Sequence, residues 1–229
     1  MTGPVTTVVL AKAPEPGRVK TRLCPPATPE LAAAIASAAL LDTLDAAAGV
    51  AGDTVVALTG DRAAAVGAAD LAAALDGLAV VAQRGEGLAA RIAAAHADAA
   101  ALHPGRPTLQ VGMDTPQATA ELLSHCAERL AEPGVDAVLG PATDGGWWVL
   151  GLRDPLAATA LHGVPMSTAE TGDRTLDALR AAGLRVALAE PLTDVDTAAE
   201  AVAVAAQVPG SRFARAVAEL TLRCPEVSV

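Results

Sequence analysis

The sequence predicts an α/β domain in which a mostly parallel sheet is covered by helices on both faces. Three observations carry this. Seven short β-branched runs alternate with seven longer Ala/Leu-rich runs along the chain, the order expected of strands joined by crossover helices. Hydrophobic residues make up 52% of the 229 residues and charged ones only 18%, which supplies a core and excludes a disordered chain. No repeat, linker or compositional break divides residues 1–229, so one domain is expected.

Taken in order, 5–11 reads as the first strand. A helix over 29–48 follows, started by Thr28-Pro29: a hydroxyl able to accept an orphan N–H, then proline at the first helical position. Next come a strand at 53–59, a helix at 61–75, a strand at 78–82, a helix at 87–102 and a strand at 108–113. Thr115-Pro116 repeats the start signal before a helix over 116–131. Strands at 137–140 and 147–152 flank an Asp-Gly-Gly turn. Ser167-x-x-Glu170 predicts a capping box for a helix at 168–182. A strand at 185–189 precedes a second box, Thr197-x-x-Glu200, opening a helix at 197–207, and a helix at 211–223 closes the pattern.

Charge narrows the function. Sixteen basic against 26 acidic residues give a net charge of −10, which repels nucleic-acid backbones and anionic lipid, so neither partner is expected. Two Trp, one Phe and no Tyr offer no platform for stacked bases. Cys24, Cys126 and Cys224 are far apart with no CxxC pair, which indicates neither a zinc knuckle nor a disulfide framework and fits a reduced cytoplasm. Mean hydropathy is +0.39, but the most apolar stretch, 31–41, stops at Asp42, short of a membrane span. The N-terminus lacks a signal-peptide pattern.

In open α/β sheets ligands bind at the carboxyl ends of the strands, and four loops there hold chemistry. The first, KAPEPGRVKTRL, carries Lys12, Arg18, Lys20 and Arg22: four of the 16 basic residues in eleven positions, where an even scatter would put fewer than one. Phosphate oxygens explain such an excess on an acidic protein, and Gly17 between prolines lets the backbone turn closely around them. The loop is neither GxGxxG nor GxxxxGK[ST]. The second, GMDTP, puts Asp114 at the end of a hydrophobic strand, where a carboxylate either holds Mg²⁺ on substrate phosphates or caps a helix. The third, GPATDGGWWVLGL, sets Asp144, Gly145 and Gly146 for a tight passage by a ligand or a plain turn, and alternation along a strand lets at most one of Trp147 and Trp148 line a pocket. In the fourth, DVDT, Asp194 and Asp196 share a face in extended geometry and can chelate a metal, although Asp196 adjoins the Thr197 capping box.

No loop pairs a nucleophile with a base. His96, His103, His125 and His162 fall on helices or their ends and are expected to be solvated. Cys24 lies beside the basic loop, which can lower a thiol pKa, but reads as structural for want of a partner base.

With these residues assembled, the sequence resembles the radical-SAM/selenodomain-associated transferases, a largely uncharacterised group with the glycosyltransferase-A fold. The likeness runs as ordered blocks from Val8 to about Glu200. AKAPEPGRVKTRL resembles that group's K-x-P-x-P-G-x-V-K-T-R-L, and QRGEGLAAR, from Gln83 to Arg91, its Q-x-G-x-x-L-x-x-R. GMDTP matches G-x-D-x-P, GPATDGGWWVLGL matches G-P-x-x-D-G-G-Y-x-L-x-G-L, and DVDT the terminal D-x-D-T. Trp147-Trp148 stand where the group has Tyr, and Met166 precedes Ser167-Thr168 where a Trp is usual, so the departures fall on the acceptor side. The loop and acidic positions are also similar to those of 2-phospho-L-lactate guanylyltransferase and, more distantly, molybdenum-cofactor guanylyltransferase.

The resemblance implies a Rossmann-like three-layer sandwich with a mixed, mostly parallel sheet. It implies that Lys12, Gly17, Arg18, Lys20 and Arg22 grip a nucleotide's phosphates, with Gln83 facing the base. Asp114, Asp194 and Asp196 would hold Mg²⁺ or Mn²⁺; Lys20, Arg22 and Asp114 would carry catalysis; Asp144, Gly145, Gly146 and Trp147 would meet the acceptor. Two reactions fit. In the first, an NMP moves from an NTP to a small phosphorylated or acidic acceptor, chemistry that needs cations and metal but no protein nucleophile. In the second, a glycosyl group moves from a nucleotide sugar, a reaction expected to show a D-x-D motif midway along the sequence, where the single acid Asp114 stands here. A sensor without catalysis is the third reading.

Overall fold

The structure, a computed structural model, describes residues 3–223, so Cys224 lies outside the described residues. Seven strands, β1 (Val5–Lys12), β2 (Gly52–Thr59), β3 (Ala79–Ala82), β4 (Thr108–Gly112), β5 (Ala137–Pro141), β6 (Trp147–Leu152) and β7 (Val186–Leu188), form one sheet. Its order is β3-β2-β1-β4-β6-β5-β7. Pairing is parallel except for β6, which runs antiparallel to both β4 and β5. The sheet is therefore mixed and mostly parallel, as expected.

Seven α-helices accompany it among the described residues: α1 (Pro29–Ala48), α2 (Ala68–Leu75), α3 (Gly87–Leu102), α4 (Ala120–Ala131), α5 (Thr171–Ala181), α6 (Ala198–Gln207) and α7 (Arg212–Arg223). Alternation along β1 sorts the core into two layers. Val9 packs with Leu40 of α1, Leu71 of α2 and Leu123 of α4 on one face. Val8 turns to the other face, towards Ala95 and Ala99 of α3, where Ile92 joins Leu150 and Leu179 of α5. Outside α1, Phe213 and Val217 of α7 and Val204 of α6 form a third cluster with Ile35. By length and composition α1 is apolar enough to cross a bilayer, beyond what the 31–41 stretch alone suggests, yet most of it is buried inside the protein.

Helix starts agree with sequence expectation where local chemistry decides them. The Thr28 hydroxyl accepts from Leu31 N at 3.2 Å, and the Thr197/Glu200 capping box is complete, each such cap stabilising a helix by about 1 kcal/mol. Three expectations need correction. The helix at 61–75 breaks into a short 3-10 turn and α2, because Gly67 takes φ 71°. Residues 115–118 form a separate turn, so α4 starts at Ala120 under a Thr119 cap rather than at Thr115-Pro116. Ser167 caps nothing: it is held left-handed at φ 59°, the Thr168 hydroxyl takes the Glu170 N–H at 3.3 Å, and α5 begins at Thr171.

Candidate active site

Strand order reverses between β1 and β4: from β1 the backbone winds outward through β2 and β3, then returns to place β4 on the other side. Carboxyl ends at such a switch point splay their loops apart and leave a crevice. Here Lys12 ends β1 and Asp114 follows β4. Val195 N donates to Asp114 O at 2.9 Å and Gln117 Nε2 to Thr193 O at 2.6 Å, so the DVDT segment is laid directly across the end of β4.

Two adjoining cavities result. The first, about 250 Å³, is lined by Lys12, Arg18, Lys20, Arg22, Asp114 and Asp196, among others. The second, about 410 Å³, is lined by Asp144, Trp147, Met166, Ser167, Asp194 and Ile92, among others, and shares Arg22, Asp114 and Asp196 with the first. The four basic residues of the first loop thus converge, as expected. Gly17 takes φ 74° with open space where a Cβ would stand, so the turn, not crowding, demands glycine there.

The cations are not idle. Lys20, itself left-handed at φ 47°, is nearly buried at 9% side-chain exposure and forms ion pairs with Asp114 and, at 3.3 Å, Asp196. Burial opposes its charge, but the two carboxylates outweigh that and raise its pKa. Arg22 bonds the other oxygen of Asp196 at 2.8 Å. Lys12 Nζ donates to Arg18 O at 2.7 Å, and Arg18 lies 3.6 Å from Glu15. Asp114 is therefore no helix cap, and Asp196 leaves capping to Thr197 while its own carboxylate meets the cations.

That arrangement bears on the expected three-carboxylate metal site. Among the described residues no group of three or more His, Cys, Asp or Glu side chains is arranged to hold a metal; Lys20 bridges Asp114 and Asp196, and Arg22 adds a second bond to Asp196. Asp194 differs from both. Burial first, then the charges of Asp114 and Asp144, push Asp194 up to about 7, with Lys20 opposing. One Asp194 oxygen, Oδ1, is buried without a partner. An unsatisfied carboxylate beside a second one fits a hard divalent cation, which takes one or two protein carboxylates and completes its shell with phosphate and water oxygens.

In the third loop the two Trp residues face opposite layers: Trp147 packs with Ile92, Leu10 and Met166 of the second cavity's lining, and Trp148, at that cavity's edge, packs with Val149 in the other layer. The register between β5 and β6 shifts at Gly140/Pro141, pairing Gly140 with Val149 and Pro141 with Trp147. Trp148 is left over as a bulged residue, and a bulge re-aims side chains. It is 2% exposed, its indole N–H donating to Glu190 O at 3.0 Å and its ring over Gly140, where a Cβ would come within 2.5 Å. Trp147 is half-buried, its N–H fixed by Thr175 at 3.2 Å. Gly145 and Gly146 serve the protein itself: a Cβ on Gly145 would meet Ala169 O at 2.0 Å. Asp144 Oδ1 accepts from Gly146 N at 2.8 Å, its exposed carboxylate rimming the cavity.

Other expectations fare differently. Gln83 borders neither cavity; its amide nitrogen bridges Ala11 O and Ala57 O at 2.8 and 3.0 Å, tying β1 to β2. His96 is buried, not solvated: it bonds the Thr108 hydroxyl at 2.7 Å, and burial lowers its pKa to about 4, with neighbouring Gln110 opposing. The Cys24 thiol is raised, by burial and then Glu30, rather than lowered, in keeping with a structural residue. Leu88 and Ile92 of α3, Gln110, Thr115 and Met166 also line the second cavity. Sequence reading gave Leu88, Ile92 and Gln110 no role, since an apolar i, i+4 pair on a helix signals core as readily as pocket; it read Thr115 as a helix start and Met166 as a departure on the acceptor side.

Residues 40–168, more than half of the chain, match the family described as "Uncharacterized protein conserved in bacteria (DUF2064)". The chain belongs to this family. The matched span includes Asp114 and Asp144 to Trp147 but not the basic loop or DVDT. No curated protein matches. Among solved structures, a protein of Desulfovibrio desulfuricans G20, provisionally assigned as a nucleotide-diphospho-sugar transferase, superposes with a TM-score of 0.83 at 25% identity, over 99% of this protein and 100% of that one. CMP:2-keto-3-deoxy-manno-octonic acid synthetase, solved with CTP, gives 0.52 at 13% identity over 85% and 94% of the two proteins. Rv0371c of Mycobacterium tuberculosis H37Rv gives 0.51 at 23% over 89% and 98%; these two share the fold alone. This DUF2064 protein has the nucleotide-diphospho-sugar transferase fold, of the glycosyltransferase-A type, and its solved neighbours include transferases.

Proposed function

We propose that this protein is a divalent-metal-dependent nucleotidyltransferase that moves an NMP from an NTP to a small acceptor. The observation that carries the reading is the convergence of Lys12, Arg18, Lys20 and Arg22 on one cavity beside Asp114, at the sheet's switch point. An NTP carries about four negative charges, which such a cluster matches better than the two of a nucleotide sugar. The likeness of the loop motifs to guanylyltransferases belongs to the same reading.

In it, the cations hold the β- and γ-phosphates, orienting the α-phosphate towards the second cavity. An acceptor oxygen there bonds to the α-phosphorus while the P–O bond to pyrophosphate breaks, its electron pair leaving with pyrophosphate. Positioning and fixed charge serve this chemistry without a protein nucleophile. Asp114 and Asp194 would hold Mg²⁺ or Mn²⁺, which when bound neutralises charge on the transferring and leaving oxygens. Lys20 and Arg22, now spent on Asp114 and Asp196, turn to phosphate once substrate and cation compete for those partners.

Glycosyl transfer is the second reading, favoured by the assignment of the D. desulfuricans protein. Calorimetric titration with Mg²⁺ and matched NTPs and nucleotide sugars separates them. Mg²⁺-dependent preference for an NTP, with pyrophosphate released on turnover, is the expected result; tighter binding of one nucleotide sugar overturns it in favour of glycosyl transfer.

A further inference from the structure

We infer that the second cavity takes an uncharged, polyhydroxylated ring, such as a neutral sugar or cyclitol, and discriminates against phosphorylated or carboxylate acceptors. The inference rests on the reading that the first cavity holds phosphates, and it replaces the phosphorylated or acidic acceptor expected from the sequence.

Charge is the first argument. Four carboxylates line the cavity, Asp114, Asp144, Asp194 and Asp196, against one cation, Arg22. That cation is bonded to Asp196 and shared with the first cavity. A site built for an anionic acceptor keeps an Arg or Lys for it; here every nearby cation is committed to a carboxylate or to the neighbouring phosphate site. With Asp114 and Asp194 on the proposed cation, an anionic acceptor would still face Asp144, Asp196 and the bound triphosphate together.

Hydrogen-bonding capacity is the second. Asp144 spends one oxygen on Gly146 N, and carboxylates only accept, so its other oxygen calls for a donor. Thr115, 2% exposed and also on the lining, has a hydroxyl without a partner, and the Ser167 hydroxyl adds another donor-acceptor. Hydroxyl groups satisfy all three; phosphate oxygens at neutral pH satisfy the two hydroxyls and oppose the carboxylate.

The third is the apolar remainder. Leu10, Leu88, Ile92, Met166 and Trp147 make up much of the wall, and the Trp147 ring is pinned through Thr175. A ring with hydroxyls at its rim and C–H groups on its face fits such a mixed surface, and at about 410 Å³ the cavity is large enough for one. In the reaction, an acceptor hydroxyl oxygen bonds to the α-phosphorus, the P–O bond to pyrophosphate breaks, and the hydroxyl proton leaves on pyrophosphate.

Matched probes test this. Glucose, mannose, galactose, N-acetylglucosamine and myo-inositol are each compared with a phosphate or uronate counterpart by saturation-transfer NMR, with the full-length protein, Mg²⁺ and pyrophosphate. Pyrophosphate binding is measured separately by calorimetry. We expect at least one neutral member to bind about tenfold or more tightly than its charged counterpart, and Trp147→Ala to weaken it about tenfold. Asp144→Asn, which keeps the Gly146 bond, should narrow the preference. Equal or tighter binding of the charged members, or binding of no neutral member, overturns the inference. If pyrophosphate binds and only charged probes follow it, the acceptor class is wrong and the nucleotide reading stands. If pyrophosphate itself does not bind, it is the nucleotide reading that fails.

Discussion

The first cavity is made largely from one stretch of sequence, Lys12 to Arg22, and its charges are mutually answered: Lys20 and Arg22 against Asp114 and Asp196, Arg18 against Glu15. The second is gathered from β1, α3, β4, the β5–β6 turn, the 166–171 loop and the DVDT segment. It retains unanswered groups, Asp194 Oδ1 and the Thr115 hydroxyl, and a left-handed Ser167 at its edge. One cavity stores ion pairs that substrate must exchange; the other stores hydrogen-bonding capacity that only a ligand uses. Pre-paired charge keeps an acidic protein stable without substrate, whereas unpaired groups give the second cavity its selectivity.

The strongest way to break this division is at Asp114, one of the three residues both cavities share. Asp114→Ala removes a proposed metal ligand and Lys20's principal partner, and should lower turnover at least about 100-fold. Steady-state rates, with circular dichroism to confirm folding, check it; retained Mg²⁺-dependent turnover removes Asp114 from the metal site.

Beneath the second cavity, buried His96 offers the next largest effect. Its folded pKa of about 4 lies below the usual 6.5, so the unfolded state binds the extra proton first. Stability present above pH 6.5 is lost as pH falls towards 4, on the order of 3 kcal/mol. Denaturant melts across that window should show the slope in the wild type and its loss in His96→Leu. An unchanged slope would mean that His96 already titrates normally.

The first cavity is probed by Lys20→Ala and Arg22→Ala, each expected to weaken pyrophosphate binding by about 1–3 kcal/mol, the scale of a charge-assisted hydrogen bond. Lys20→Ala should also lower the melting temperature, because it leaves Asp114 and Asp196 facing each other without their buried counter-ion; Arg22, far more exposed, should not. If both variants bind pyrophosphate like wild type, the basic loop does not hold phosphate.

The same contrast explains what the sequence disclosed. Strand and helix order was legible because alternating β-branched and Ala-rich runs are local properties, and the basic loop because its cations are contiguous. What was lost depends on distant partners. The Lys20–Asp196 pair joins residues 176 positions apart, so nothing in DVDT announces that Asp196 answers a cation. Trp148 and Val149, adjacent in sequence, share one face because a register shift intervenes, and this leaves Trp147 on the cavity side. Ser167-x-x-Glu170 satisfies the capping-box pattern, but the Thr168 and Thr171 hydroxyls claim the local donors and acceptors first. His96 carries a polar side chain on a helix face whose burial depends on Thr108 of β4.

The smallest effect tests whether the second cavity's unanswered carboxylate is held for a cation. Asp194 is raised to about 7 from an ordinary 3.8, so this carboxyl keeps its proton to higher pH when folded than when unfolded. Stability should therefore fall as pH rises from about 4 to 7 and level off above. Asp194→Asn, which never ionises, should be more stable than wild type at pH 8 in chelator by about 1–2 kcal/mol, allowing for solvent screening on the partly exposed side. A divalent cation reverses the comparison, since it binds the ionised carboxylate. With Mg²⁺ or Mn²⁺ added, wild type should gain melting temperature at pH 8, gain little at pH 5.5, and gain more than the Asn variant. Equal gains for both proteins would place the cation elsewhere and leave Asp194 to the acceptor. A variant no more stable than wild type in chelator would mean that Asp194 has a partner after all, and the two cavities would then differ in shape and charge but not in what they leave unsatisfied.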